Sequence, residues 1–137
     1  MELTRRYEFP AAHVLEHLSL SPEENEKIYG NCANPNGHGH NYEVEVTITG
    51  PIDEQTGQIF PLELLDQLFD ACIESRFASR MLNDDEAFAD LVPTAENIAA
   101  VIHEMLAAEV ANHGRAEVVR IKIVETRNNS CISGALM

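Results

Sequence analysis

An α+β fold, with two helices covering one face of an antiparallel sheet, is what the order of patterns along this 137-residue chain predicts. Three observations carry it. Residues 38–48 and 119–125 place apolar side chains at every second position, the period of a half-buried strand. Residues 62–77 and 98–105 keep the three-four rhythm of amphipathic helices. The segments follow one another as strand, strand, short strand, helix, helix, strand.

The first strand, "LTRRYEFPAAH", puts Leu3, Tyr7, Phe9, Ala11 and His13 on one side and Arg6 and Glu8 on the other. Pro10 lacks a backbone donor and marks an edge strand or a bulge. The polar stretch "LSLSPEENEKIYGNCANPNG" reads as a loop, with turn chemistry at its closing NPNG. In the second strand His38, His40, Tyr42, Val44, Val46 and Ile48 share one face, and Glu43, Glu45, Thr47 and Thr49 the other. "GP" ends it, and "DEQTGQIF" predicts a turn into a short return strand, hence a hairpin.

Pro61 suits the first position of a helix whose buried face is Leu62, Leu65, Phe69, Cys72, Ile73 and Arg76/Phe77. Thr94 is the expected N-cap of the second helix, with Ile98, Val101, Ile102 and Met105 as its stripe and "NHG" at 112–114 as its stop. In the last strand, "EVVRIKIVET", Val119, Ile121, Ile123 and Glu125 share a face. Four strands leave two open edges, which are usually answered by pairing with other chains, so a homo-oligomer is expected.

Length and composition suit a single domain over residues 1–137 with its own core. The formal net charge of -14 argues against nucleic acid or an anionic membrane as partner, because both require a basic face. Acidity is also a common solubility device, which is the plainer cause. No run approaches the ~18 apolar residues of a membrane span, and "MELTRRYEF" lacks the apolar core of a signal peptide. Cys32, Cys72 and Cys131 are an odd set with no CxxC spacing, which fits a reduced, cytoplasmic protein.

The pair His38 and His40, one residue apart in "NGHGHNY", sends two imidazoles to the apolar face of a strand. That is the start of a metal site or a pair of half-buried polar groups. His13, at the end of the first strand's apolar side, is the natural third ligand; His17 is a further candidate, while His103 and His113 fall in or just after the second helix. Three histidines with no fourth protein ligand describe a catalytic zinc, which keeps one position open. Cys32, in a Gly- and Asn-rich loop, is either an incidental thiol or, beside a cation, a base or nucleophile. Glu125 ends a buried face where another valine is expected, and so needs either a partner with two parallel N–H donors or water. Thr94 and Glu96 have a structural reading as helix cap and dipole partner.

The segments "FPAAH", "LSPEENEKIYGNCANPNGHGHNYEVEVTITG", "IDEQTGQI", "FADLVPTAENIA" and "VRIKIVET" resemble the 6-pyruvoyl-tetrahydropterin synthase family over nearly the whole length. The bacterial 6-carboxytetrahydropterin synthases of queuosine biosynthesis belong to the same superfamily, and the long loop before HGHNY looks closer to the biopterin-type members. The resemblance implies the tunnelling fold, in which three subunits join their sheets into a barrel and two trimers stack into a hexamer. It implies one zinc per subunit on His13, His38 and His40. It places a pterin at a subunit interface, its amino-pyrimidine edge gripped by Glu125, with Thr94 and Glu96 nearby. The implied reaction converts 7,8-dihydroneopterin triphosphate to 6-pyruvoyl-tetrahydropterin: zinc polarises the side-chain hydroxyls, the Cys32 thiolate moves protons, triphosphate leaves, and no nicotinamide is needed. Mg2+ would accompany the triphosphate.

One departure matters. The family carries an Asp-His pair in a segment like "LDHxxLN", and the matching "FASRMLND" has Ala78 and Ser79 there. Neither acts as an acid or base near neutral pH, so an altered or weakened activity is expected. The alternatives are a pterin-binding homologue without the parent activity and a side-chain-cleaving enzyme of the 6-carboxytetrahydropterin synthase type. Asn31 replaces the lysine of some members, and His17, Asp84 and Asp85 are the places to seek a substitute proton relay.

Overall fold

Period-two alternation in the first half of the chain is satisfied by two long antiparallel strands, β1 (Glu2–His13) and β2 (His38–Thr49), in unbroken register from Glu2 opposite Thr49 to His13 opposite His38. The computed structural model describes residues 1–134, and adds β3 (Glu117–Thr126) and β4 (Asn129–Gly134) to give a four-stranded antiparallel sheet ordered β1-β2-β3-β4. The helices are α1 (Pro22–Tyr29), α2 (Leu62–Phe69) and α3 (Ala95–Ala111). A π-helical stretch, Asp70–Glu74, and a last turn, Ser75–Phe77, prolong α2.

The apolar sides of the strands and the stripes of α2 and α3 meet in one core. Phe9, Tyr42, Val44, Val46, Ile121 and Ile123 are fully buried against Leu65, Phe69, Ile98, Ile102 and Leu106. Tyr7 stacks on Phe69 with centroids 4.1 Å apart, and its hydroxyl donates to Asp66, which Arg5 grips with two bonds of 2.7 and 2.8 Å. These contacts dock α2 on β1. His103 ties α3 to the far side of the sheet, with Nδ1 3.0 Å from the Ser133 hydroxyl and Nε2 3.2 Å from the Val118 carbonyl. The other sheet face carries the polar set of the alternation, including the ion pairs of Arg6 with Glu43 and Glu45, Lys122 with Glu45, and Arg120 with Glu2.

Several sequence expectations need correction. The short return strand expected after β2 does not form: the Asp53 carboxylate accepts from Gln55 N and Thr56 N at 2.8 and 3.0 Å, so residues 53–58 close on themselves, and Ile59 and Phe60 return to the core. The fourth strand is instead β4, reached through a two-residue turn, with Thr126 opposite Asn129. The polar stretch before HGHNY contains α1, started by a capping box between Ser21 and Glu24 with Pro22 in the first turn. Finally, a register shift at Thr47/Ile48 pairs Ile48 with Val118, so Val118 is buried in place of Val119. Pro61 stands one residue earlier than expected, at the position just before α2 and without a capping hydrogen bond, whereas Thr94 caps α3 as expected.

The sheet edges are β1 and β4. The β1 edge is partly covered near its end, where Ser79 N donates to Pro10 O at 2.6 Å and Ala12 N donates to Arg80 O at 2.9 Å. Among the described residues, no helix is long and apolar enough to cross a membrane.

Candidate metal centre and its surroundings

Antiparallel pairing brings the last residue of β1, His13, opposite the first of β2, His38, and places His40 opposite Ala11. All three side chains leave the helix-covered face of the sheet, because they share the parity of the core residues. The turn that launches β2 is built by NPNG: Asn36 N donates to Asn34 Oδ1 at 3.0 Å and Gly37 N to Asn34 O at 2.8 Å. Gly37 has φ +74°, and a Cβ there would meet Met81 Cε at 2.7 Å and the His13 carbonyl at 3.3 Å. A side chain at 37 would therefore displace the Met81 tip and crowd the His13 carbonyl, at a left-handed backbone position that suits glycine.

The ligating nitrogens of the three histidines all lie within 4.8 Å of one another, with Nε2 of His13 2.9 Å from Nε2 of His38. His13 is fully buried, and its Nδ1 lies 2.7 Å from the carbonyl of Pro93. A carbonyl only accepts, so Nδ1 carries the proton and Nε2 turns its lone pair to the cluster. The Tyr42 hydroxyl lies 3.1 Å from the same Nδ1. Burial lowers the pKa of His13 and of His40, against the upward pull of Glu125, so both rings favour the neutral form that binds metals. His40 Nε2 is buried without a hydrogen-bond partner. A buried nitrogen in that position needs an occupant, and the three converging imidazoles could hold a metal ion.

Glu125 and Cys32 border this cluster. Glu125 is half-buried at the end of β3, takes a 3.3 Å bond from Asn129 Nδ2, and its charge reaches His13, His40 and Tyr42. Cys32 is half-buried in the 3-10 turn Gly30–Ala33, whose placement is set by a 2.8 Å bond from Leu15 N to Cys32 O, two residues beyond His13. Burial first, then the charges of Glu125 and Cys32, push the Tyr42 hydroxyl far above its usual pKa. Thr94 serves as the α3 cap, accepting from Asn97 N at 3.2 Å, and Glu96 stands exposed in the first turn.

Two contributors escaped the sequence reading: the Pro93 carbonyl and the Tyr42 hydroxyl. The half-buried Cys131 thiol, opposite Ile123, is raised to about 11 by burial and by the charges of Glu96 and Glu125. The PT before α3 signalled a helix start, and nothing local signalled that the preceding carbonyl would orient a ring 80 residues away.

Ala78 is half-buried against the core, while Ser79 is exposed with φ 59°. Ser79, Arg80 and Met81 line, with His40 and Gly39, a depression of about 540 Å3 beside the end of β1. Of the candidate substitute relays, Asp85 is engaged by Arg76 at 2.8 Å and by Ala87 N at 2.9 Å. His17 Nδ1 is bonded to Ser19, its hydroxyl 2.5 Å away, and Asp84 is exposed.

Comparison with known proteins gives one consistent answer. Residues 2–135 match the family described as 6-pyruvoyl tetrahydropterin synthase. The Homo sapiens 6-pyruvoyl tetrahydrobiopterin synthase is 41% identical over 129 residues, 93% of this chain and 87% of that protein. The Poecilia reticulata protein of the same name is 44% identical over 106 residues, 77% of this chain and 72% of that one. The solved structure of Caenorhabditis elegans 6-pyruvoyl tetrahydropterin synthase superposes with a TM-score of 0.88 at 30% identity, covering 99% of this chain and 96% of that one.

Proposed function

The chain belongs to the 6-pyruvoyl tetrahydropterin synthase family, and from that premise we propose a zinc-dependent pterin enzyme that acts on 7,8-dihydroneopterin triphosphate or a related dihydropterin. The observation that carries it is the convergence of His13, His38 and His40 around the unpartnered, buried His40 Nε2. In this reading His13, His38 and His40 would hold one zinc per subunit, which would supply Lewis-acid polarisation of the substrate's side-chain hydroxyls.

The chain's own groups do the rest. Glu125 accepts the two N–H donors of the pterin edge, with Thr94 and Glu96 at the border of the same pocket. Cys32, held to the strand end through Leu15, takes and returns protons on the substrate side chain. Loss of triphosphate and an internal rearrangement reduce the ring without an external hydride, Mg2+ accompanying the triphosphate. The edges at β1 and β4 supply the joins of a barrel-forming trimer, two of which stack into a hexamer.

Ala78 and Ser79 remove the acid–base pair that the family keeps, so the parent conversion proceeds slowly. The same substitution favours a second reading, side-chain cleavage that uses only zinc and Cys32. Incubating the zinc-loaded protein with 7,8-dihydroneopterin triphosphate, and weighing the products, separates them. Slow formation of the pyruvoyl product supports the first reading, a cleaved side chain the second, and a bound but unchanged pterin overturns both.

A further inference from the structure

The segment that lost its acid–base pair is tied to the metal centre by backbone. Residues 79–83 run alongside the edge of β1 and meet it at every second residue. Ser79 N donates to Pro10 O at 2.6 Å, Ala12 N donates to Arg80 O at 2.9 Å, and Met81 bridges to Ala12 in parallel sense. At the next rung the backbone partner is replaced by a side chain. Asn83 Oδ1 accepts from Val14 N at 2.8 Å, and Asn83 Nδ2 donates to Val14 O at 2.9 Å. Val14 is buried, so its two backbone groups have little access to water in place of Asn83.

The residues on either side of Val14 are the ones the chemistry needs. His13 precedes it, and Leu15, which follows, donates to the carbonyl of Cys32. Met81, from the same segment, covers Gly37 just before His38. A single carboxamide thus fixes the point from which one metal ligand and the tie to the candidate thiol diverge.

We propose that Asn83 is a positioning residue of the metal centre, setting His13 relative to His38 and His40 by clamping Val14. The proposal rests on the zinc reading of the histidine cluster. Alanine at 83 removes both protein partners of the Val14 backbone and frees the strand end. Aspartate keeps the acceptor for Val14 N but sets a carboxylate oxygen against Val14 O. Positioning groups behind metal ligands are commonly worth about 10- to 100-fold in metal affinity, and that is the loss expected for Asn83→Ala.

The test is a chelator competition for zinc on the full-length wild type, Asn83→Ala, Asn83→Asp and Asp66→Asn, run well below every melting temperature. Asp66→Asn serves as a control because it disrupts a distant polar cluster with Arg5 and Tyr7. The expected result is weakened zinc binding in both Asn83 variants, an altered visible spectrum when cobalt replaces zinc, and wild-type binding in Asp66→Asn. Should Asn83→Ala fail to fold, Asn83→Asp alone decides. Wild type that binds zinc with Asn83 variants within about twofold of it, and an unchanged cobalt spectrum, overturns the positioning role. Equal weakening in Asp66→Asn also overturns it, by showing a general effect of destabilisation. A wild type that binds no zinc overturns the metal reading itself.

Discussion

The carbonyl of Pro93 accepts a 2.7 Å hydrogen bond from Nδ1 of the buried His13 ring. That one contact chooses the tautomer, because it holds the proton on Nδ1 and leaves Nε2 free toward His38. It also couples the start of α3 to the end of β1, so the PT segment that caps the helix orients one histidine of the candidate metal cluster.

Replacing Glu125 by glutamine is expected to weaken pterin binding far more than folding. A carboxylate accepts both donors of a pterin edge, whereas an amide must turn one donor toward another. Loss of such a charge-assisted pair costs about 2–3 kcal/mol, more than tenfold in affinity. Calorimetric titration of a dihydropterin into both proteins reads it, and an unchanged dissociation constant would leave Glu125 a strand-end carboxylate.

The Arg5–Asp66–Tyr7 cluster gives a pH signature. Hydrogen bonds from Arg5, then from Tyr7, hold the Asp66 carboxyl below its usual range. A depressed carboxylate stabilises the fold above its unfolded pKa, and the contribution is lost as pH falls through the folded value. Asp66 is 38% exposed, so solvent screening limits the effect to about 0.5–1 kcal/mol. The melting temperature of Asp66→Asn should therefore lie below wild type at pH 7, and the gap should close below about pH 4. A gap that persisted undiminished into acid would show that charge is not its source.

Much of the fold was legible because it follows from local pattern. Strands β1, β2 and β3 and the stripes of α2 and α3 carry enough buried side chains to show their period. The HGH pair was legible for the same reason. Strand β4 was not: it is a polar edge whose Ser130 and Ile132 are exposed, so hydrogen bonds to β3 hold it without an apolar alternation. Helix α1 buries only Asn25 and has no apolar stripe, though its Ser-Pro-Glu-Glu start was a readable capping box. Pro93 and Asn83 act across 80 and 69 residues of sequence, a distance that no spacing rule spans.

The replacement of Ala78 by aspartate together with Ser79 by histidine tests the proposed weakening of activity. A positioned acid or base is commonly worth about 100- to 10,000-fold in rate. Position 79 has φ 59°, a left-handed conformation that histidine tolerates better than most residues, and its backbone tie to Pro10 needs no particular side chain. The double variant should raise pyruvoyl-product formation in a discontinuous assay. Rapid turnover by the wild type is the contrary outcome, for it would mean that another group already carries the proton.

The metal content of the purified protein bears most directly on the central claim, that His13, His38 and His40 form one zinc site. Wild type and His38→Ala are dialysed against a chelator, reloaded with zinc, freed of excess and measured by elemental analysis. The wild type should hold about one zinc per chain and His38→Ala little, because two imidazoles fall short of the three protein ligands of a catalytic site. Full zinc occupancy in His38→Ala would contradict the assignment.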